Sequence, residues 1–178
     1  MKHTLYILLL IIASHLYAQT LTPKDIATYV KTIDSLRQHK ALKVIHMGNM
    51  SACAGALTGY YYQNTLVYIT GKYAAELGYT EQKLYLRDTI PYKLYYRQYF
   101  AEWEKYYLKY PNKELDLDEK KMTYSDTLYT VLFTKPIKVA KTSNHKYINQ
   151  HIQKDLLHYI CGCITPMFLE LEKERKSR

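Results

Sequence analysis

The chain has 178 residues and a formal charge of +9, with 25 Lys and Arg against 16 Asp and Glu. That length holds one ordinary domain with a real core and is short for two. The cations are spread along the chain, so the charge speaks to solubility and encounter and names no partner.

Lys2 and His3 give a short positive end, Leu5 to Ala13 is an almost unbroken apolar run, and Leu16-Tyr17-Ala18 sets a small residue before Gln19. This is the three-part layout of a cleavable secretory signal. The apolar run is about half the roughly 20 residues that span a bilayer, and no later segment is apolar enough to do so. The expectation is therefore a signal peptide over residues 1–18 and a single domain over 19–178, with no membrane span after signal removal, in the periplasm or secreted. In such an oxidising compartment Cys53, Cys161 and Cys163 predict one disulfide and one thiol left over. All three pairings stay open. A bond from Cys53 to Cys161 or Cys163 is preferred because it would tie the start of the sheet to the last helices.

The domain opens on a helix signal, with Thr22 as N-cap, Pro23 in the first helical position and Asp25 three residues after the cap. Ile26, Tyr29, Val30, Ile33 and Leu36 follow at helical spacing, so the helix runs to about His39 with one apolar face. Between Lys40 and Cys53 a short apolar run through Val44-Ile45 predicts a strand and then a loop. Residues 57–62 and 65–73 read as a hairpin turning at Gln63-Asn64, since Asn tolerates the positive φ of tight turns. That register sets Tyr62 opposite Thr65 and Gly59 opposite Tyr68, whose ring would cover the bare glycine.

Two more strands are predicted, from about Gln82 to Arg87 and from Tyr92 to Phe100, around a turn containing Asp88 and Pro91. Both alternate with period two. For their charged positions to share one face, the connection must hold an odd number of residues. Glu102 to Tyr107 fits either more strand or a helix, 111–122 reads as a charged surface loop, and Thr127 to Phe133 as a strand closed by Pro136. Ile148, Ile152, Leu156 and Ile160 then recur every four residues. Cys161-Gly162-Cys163 interrupts that helix, and Thr165-Pro166 starts a last one. The predicted class is α+β: an N-terminal helix, an antiparallel sheet of about four to six strands, and two C-terminal helices.

The stretch Gly55-Ala56-Leu57-Thr58-Gly59-Tyr60-Tyr61-Tyr62, a turn, Leu66-Val67-Tyr68-Ile69, and the tyrosine-dense strand pair ending near Phe100 resemble uncharacterised exported proteins of Bacteroidetes. The resemblance covers roughly residues 20–105. It implies a signal peptide, a leading helix and an antiparallel sheet, and no activity.

Of the 21 tyrosines, fourteen fall between Tyr60 and Tyr110, and strand alternation assigns many of them to one face. If Lys72, Lys83, Arg87, Lys93 and Arg97 mark the solvent side, Tyr61, Tyr68, Tyr85, Tyr95 and Tyr99 share it. Such a face offers rings for stacking and cations for anionic groups, which suits an envelope glycan or a partner protein. Alternatively these Tyr–Lys and Tyr–Arg neighbours only stabilise an exposed sheet, by roughly 0.2–1 kcal/mol per pair. No nucleic-acid motif occurs. Nor is there a phosphate loop, a Gly-x-Ser-x-Gly elbow or a His-Glu-x-x-His helix. His158, Cys161 and Cys163, with His151 nearby, have metal-binding side chains, but Cys-x-Cys is a poor match to structural zinc spacing. No metal or other cofactor is expected. The reading is a non-enzymatic binding domain, with a hydrolase acting on cell-envelope material as the alternative.

Overall fold

The computed structural model describes residues 22–48, 55–75, 77–111, 121–134, 136–143 and 166–177. The signal segment, Cys53, the helix expected over 144–160, Cys161 and Cys163 lie outside the described residues, as do His151 and His158. Helix α1 (Pro23–Gln38) starts as the sequence predicts. The Thr22 hydroxyl accepts a hydrogen bond from the Asp25 N–H at 3.2 Å, and the Asp25 carboxylate accepts one from the Thr22 N–H at 3.0 Å. Each partner thereby satisfies an amide that the first helical turn leaves without an acceptor.

Among the described residues the sheet has seven strands in chain order, every neighbouring pair antiparallel. They are β1 (Lys43–Gly48), β2 (Gly55–Tyr62), β3 (Thr65–Ala75), β4 (Gly78–Arg87), β5 (Ile90–Ala101), β6 (Tyr124–Leu132) and β7 (Lys138–Ser143). A short helix α2 (Trp103–Lys109) follows β5, and a last helix, α3, covers residues 166–177. The α+β class and antiparallel sheet match the sequence reading. The strand count exceeds the expected four to six, because β7 was not foreseen after Pro136.

Two turns of the same kind build the central hairpins. Gln63 and Asn64 have φ of 48° and 64°, and Asp88 and Thr89 have 51° and 67°. Positive φ at both central residues gives the backbone twist that suits a two-residue hairpin. Each hairpin also carries a bulge. Val67 is skipped where Tyr60 faces Tyr68 and Tyr61 faces Leu66, and Tyr92 is skipped where Tyr85 faces Lys93 and Leu86 faces Pro91. Both skipped side chains join the cluster under α1, with Ile26, Val30, Ile33, Tyr68 and Tyr85. The second bulge meets the parity requirement differently from an odd loop: a two-residue turn plus one extra strand residue puts Lys83, Tyr85, Lys93 and Tyr95 on the same face.

The first bulge corrects one expectation. Tyr68 faces Tyr60, and Gly59 faces Ile69. What approaches Gly59 is Leu171 of α3: a Cβ built there would lie 3.0–3.1 Å from the two leucine methyls. Met167 and Leu171 pack α3 onto the opposite sheet face, over Ile45, Leu57, Tyr61, Ile69, Leu84, Leu94 and Tyr129. The sheet therefore carries a helix on each face. This explains why Leu66, Val67, Tyr68 and Ile69 are all buried in succession rather than alternately.

Candidate functional site

Helix α1 covers only part of its sheet face. Beside it lies a groove of about 890 Å³, within the usual range of small-ligand sites. Register assembles its floor. Glu81, Arg97, Leu128 and Thr142 stand in one row across β4 to β7, and Lys83 and Tyr95 form the next row on β4 and β5. Asp34 and Arg37, from the last turns of α1, supply the wall together with Tyr68 and Tyr85.

The wall is tied together by polar contacts. The Tyr85 hydroxyl donates to Asp34 Oδ1 at 3.0 Å, Arg37 Nη1 donates to the Tyr68 hydroxyl at 3.1 Å, and Arg37 lies 3.4 Å from Asp34. The rings of Tyr68 and Tyr85 stand 4.7 Å apart and those of Tyr85 and Tyr95 6.3 Å apart. Burial, before any neighbouring charge, pushes the Tyr68 hydroxyl up to about 12 and the Tyr85 hydroxyl further still, so both remain protonated donors.

On the floor Arg97 grips Asp126 with two hydrogen bonds, Nε at 2.8 Å and Nη2 at 2.7 Å. Asp126 sits diagonally across the β5–β6 pair, since Arg97 faces Leu128 directly. This fork holds the Asp126 carboxyl below the usual carboxylate range and raises the Arg97 guanidinium further above its ordinary value. Arg97 Nη1 is also 3.9 Å from Glu81, which lies 3.8 Å from Lys72. Lys83 is exposed and makes no ion pair among the described residues.

Five of the nine residues expected on the binding face line this groove: Tyr68, Tyr85, Tyr95, Lys83 and Arg97. The expectation of a single wetted surface needs correction at three points. Tyr61 is on the other face, buried in the cluster under α3, because β2 alternates it away from Tyr60. Tyr68 and Tyr85 are 0 % and 3 % exposed, covered by α1, and only border the groove. The groove is also not simply basic, since Asp34, Glu81 and Asp126 answer its cations. Of the remaining four, Lys93 places its ammonium 4.4 Å above the Tyr95 ring. Arg87 stands by the β4–β5 turn, 3.9 Å from Asp88. Tyr99 is stacked between Tyr79 and Tyr124, at 5.1 and 5.0 Å, farther along the sheet.

Sequence reasoning missed Asp34, Arg37, Glu81, Asp126, Leu128 and Thr142. Glu81 falls one residue before the expected strand start at about Gln82, and period two carried back from Lys83 sets it on the same face, a usable signal. Asp126 fell just before the expected strand start at Thr127, and nothing in the sequence brings the end of α1 to β4. Among the described residues no cluster of His, Cys, Asp and Glu has the makings of a metal site, and no helix is long and apolar enough to cross a membrane. Comparison with known proteins leaves the groove to be read on its own chemistry, for no protein-family model, curated protein or solved structure matches the chain.

Proposed function

We propose that this is an exported domain, freed of residues 1–18, that binds cell-envelope material non-catalytically through the groove beside α1. The observation that carries the reading is the convergence of ten polar or aromatic side chains and Leu128 on one concavity assembled from α1 and five strands. The alternative, a hydrolase acting on envelope material, is supported less. Asp126 is held ionised by Arg97 and has no proton to give as a general acid near neutral pH. The resemblance to exported Bacteroidetes proteins belongs to the same proposal and rests on the Gly55–Tyr62 and Leu66–Ile69 strands and the tyrosine-dense strand pair ending near Phe100.

The test is retention of the purified protein on insoluble envelope material from the producing cells. Tyr95→Ala should weaken retention at least about tenfold, a loss of roughly 1.4 kcal/mol, while Leu108→Ser on α2, at a site 83 % exposed, leaves it unchanged. Release of soluble fragments with time, abolished by a single carboxylate change, would favour the hydrolase instead. N-terminal sequencing of the exported protein should begin at Gln19; an intact Met1 start would remove the export part of the proposal.

A further inference from the structure

The chain's surplus of positive charge is not gathered in the groove. Arg37, Lys83 and Arg97 face Asp34, Glu81 and Asp126, three of each sign. The two guanidiniums already have carboxylate neighbours, Arg97 through a fork at 2.7–2.8 Å and Arg37 at 3.4 Å. A phosphate, sulfate or uronate would have to displace those carboxylates or lie against them, like charge beside like charge.

The Arg97 guanidinium nevertheless keeps hydrogen-bonding capacity. Arg97 Nη1 is 3.9 Å from Glu81, beyond hydrogen-bond distance, so its N–H groups point to no acceptor among the described residues. The Lys83 ammonium adds more donors, and the carboxylate oxygens of Asp34 and Glu81 and the exposed Thr142 hydroxyl add acceptors. Donors and acceptors thus interleave over a floor whose apolar parts are the half-buried Tyr95 ring and the Leu128 side chain.

From this pattern we infer that the groove takes a neutral, hydroxyl-rich ligand, a short stretch of uncharged glycan, in preference to a polyanion. The inference rests on the groove being the binding site. Every hydroxyl of a sugar both donates and accepts, which matches interleaved partners. The C–H face of the sugar ring is apolar, which matches Tyr95 and Leu128. Neighbouring hydroxyls present the paired geometry that a fixed guanidinium–carboxylate fork can meet without either charge losing its counter-ion.

The experiment is an array of neutral glucans, xylans, mannans and chito-oligosaccharides beside heparin and polygalacturonate, probed with the full chain purified after export at about 50 and 500 mM NaCl. The expected result is capture by at least one neutral series, with Kd changing less than about twofold between the two salts, since no net charge is neutralised. Tyr95→Ala and Arg97→Lys should each weaken that capture about tenfold or more. Thermal melting checks that each variant is folded, and Lys83→Ala, at an exposed position, should act in the same direction if Arg97→Lys unfolds. Capture by polyanions only, lost at the higher salt, would overturn the inference. So would the absence of neutral-glycan capture, and if Tyr95→Ala still abolished retention on envelope material the groove itself would stand. Neutral-glycan capture untouched by the three variants would overturn the groove reading together with the inference.

Discussion

Arg97 reaches Asp126 with two N–H groups, and the carboxyl is held below its ordinary value of 3.8 in consequence. A group whose pKa is depressed by folding contributes stability above that ordinary value and loses it as pH falls through the folded pKa. Both side chains are more than a third exposed, at 38 % and 35 %, so solvent screening keeps the contribution to about 1 kcal/mol or less. Asp126→Asn should therefore remove at most that amount near neutral pH, and the difference from the natural protein should shrink as pH falls from the ordinary carboxylate value through the lowered one. Urea titrations at several pH values check this. A gap that persists undiminished in acid would mean that the pair is not the cause. The rings were the legible part of the site at this scale, because aromatic and basic residues alternate visibly along 82–100. Their acidic partners were not, since a carboxylate in a mixed-charge strand looks like any solvated surface group until register places an arginine beside it.

The turns were legible among the elements, and the bulges were not. Gln63-Asn64 announced itself by composition, and the strands on either side followed. Asp88-Thr89 carried a weaker signal, because a β-branched residue at φ 67° is held against its preference. Thr89→Gly should consequently stabilise the protein by about 0.5–1 kcal/mol, the relief of that strain outweighing the added freedom of the unfolded chain. A lower denaturation midpoint for this variant would contradict the description of the turn. The bulges at Val67 and Tyr92 depend on which helix covers which face, information that no local pattern contains, and the error in pairing Gly59 with Tyr68 came from the first of them. Strand β7 escaped notice for a related reason. Lys-Val-Ala-Lys-Thr-Ser has little apolar alternation, and as an edge strand it needs little, since lysines suit an edge that should not recruit another strand.

Leu171 shows how an element is seated by a single missing side chain. It rests over Gly59, where a Cβ would sit 3.0–3.1 Å from its methyls and 3.2 Å from Leu66. Gly59→Ala should cost about 1–3 kcal/mol through overpacking. Leu171→Ala alone should cost about 2–5 kcal/mol, and the double variant should be less destabilised than the sum of the two. Strict additivity in denaturant unfolding would mean that the two positions do not meet.

At the scale of the whole molecule, the two helices packed on the sheet leave one stretch of one face uncovered among the described residues, and the proposed function depends on that asymmetry. Helix α1 is anchored by Ile26, Val30 and Ile33 against Val67, Tyr68, Tyr85 and Tyr92, with the Tyr29 hydroxyl donating to the Leu86 carbonyl. The same anchoring brings Asp34 and Arg37 to the groove. Ile33→Ala, at a position 2 % exposed, should lower stability by about 2–5 kcal/mol and weaken binding by loosening the wall, even though Ile33 does not line the groove. Hydrogen–deuterium exchange, with and without the envelope material that retains the protein, tests the central claim most directly. The account predicts new protection in β4, β5 and β6 around Glu81, Lys83, Tyr95, Arg97 and Asp126, and at the end of α1 around Asp34 and Arg37. Protection confined to α2, or to α3 and the face beneath it, would contradict it.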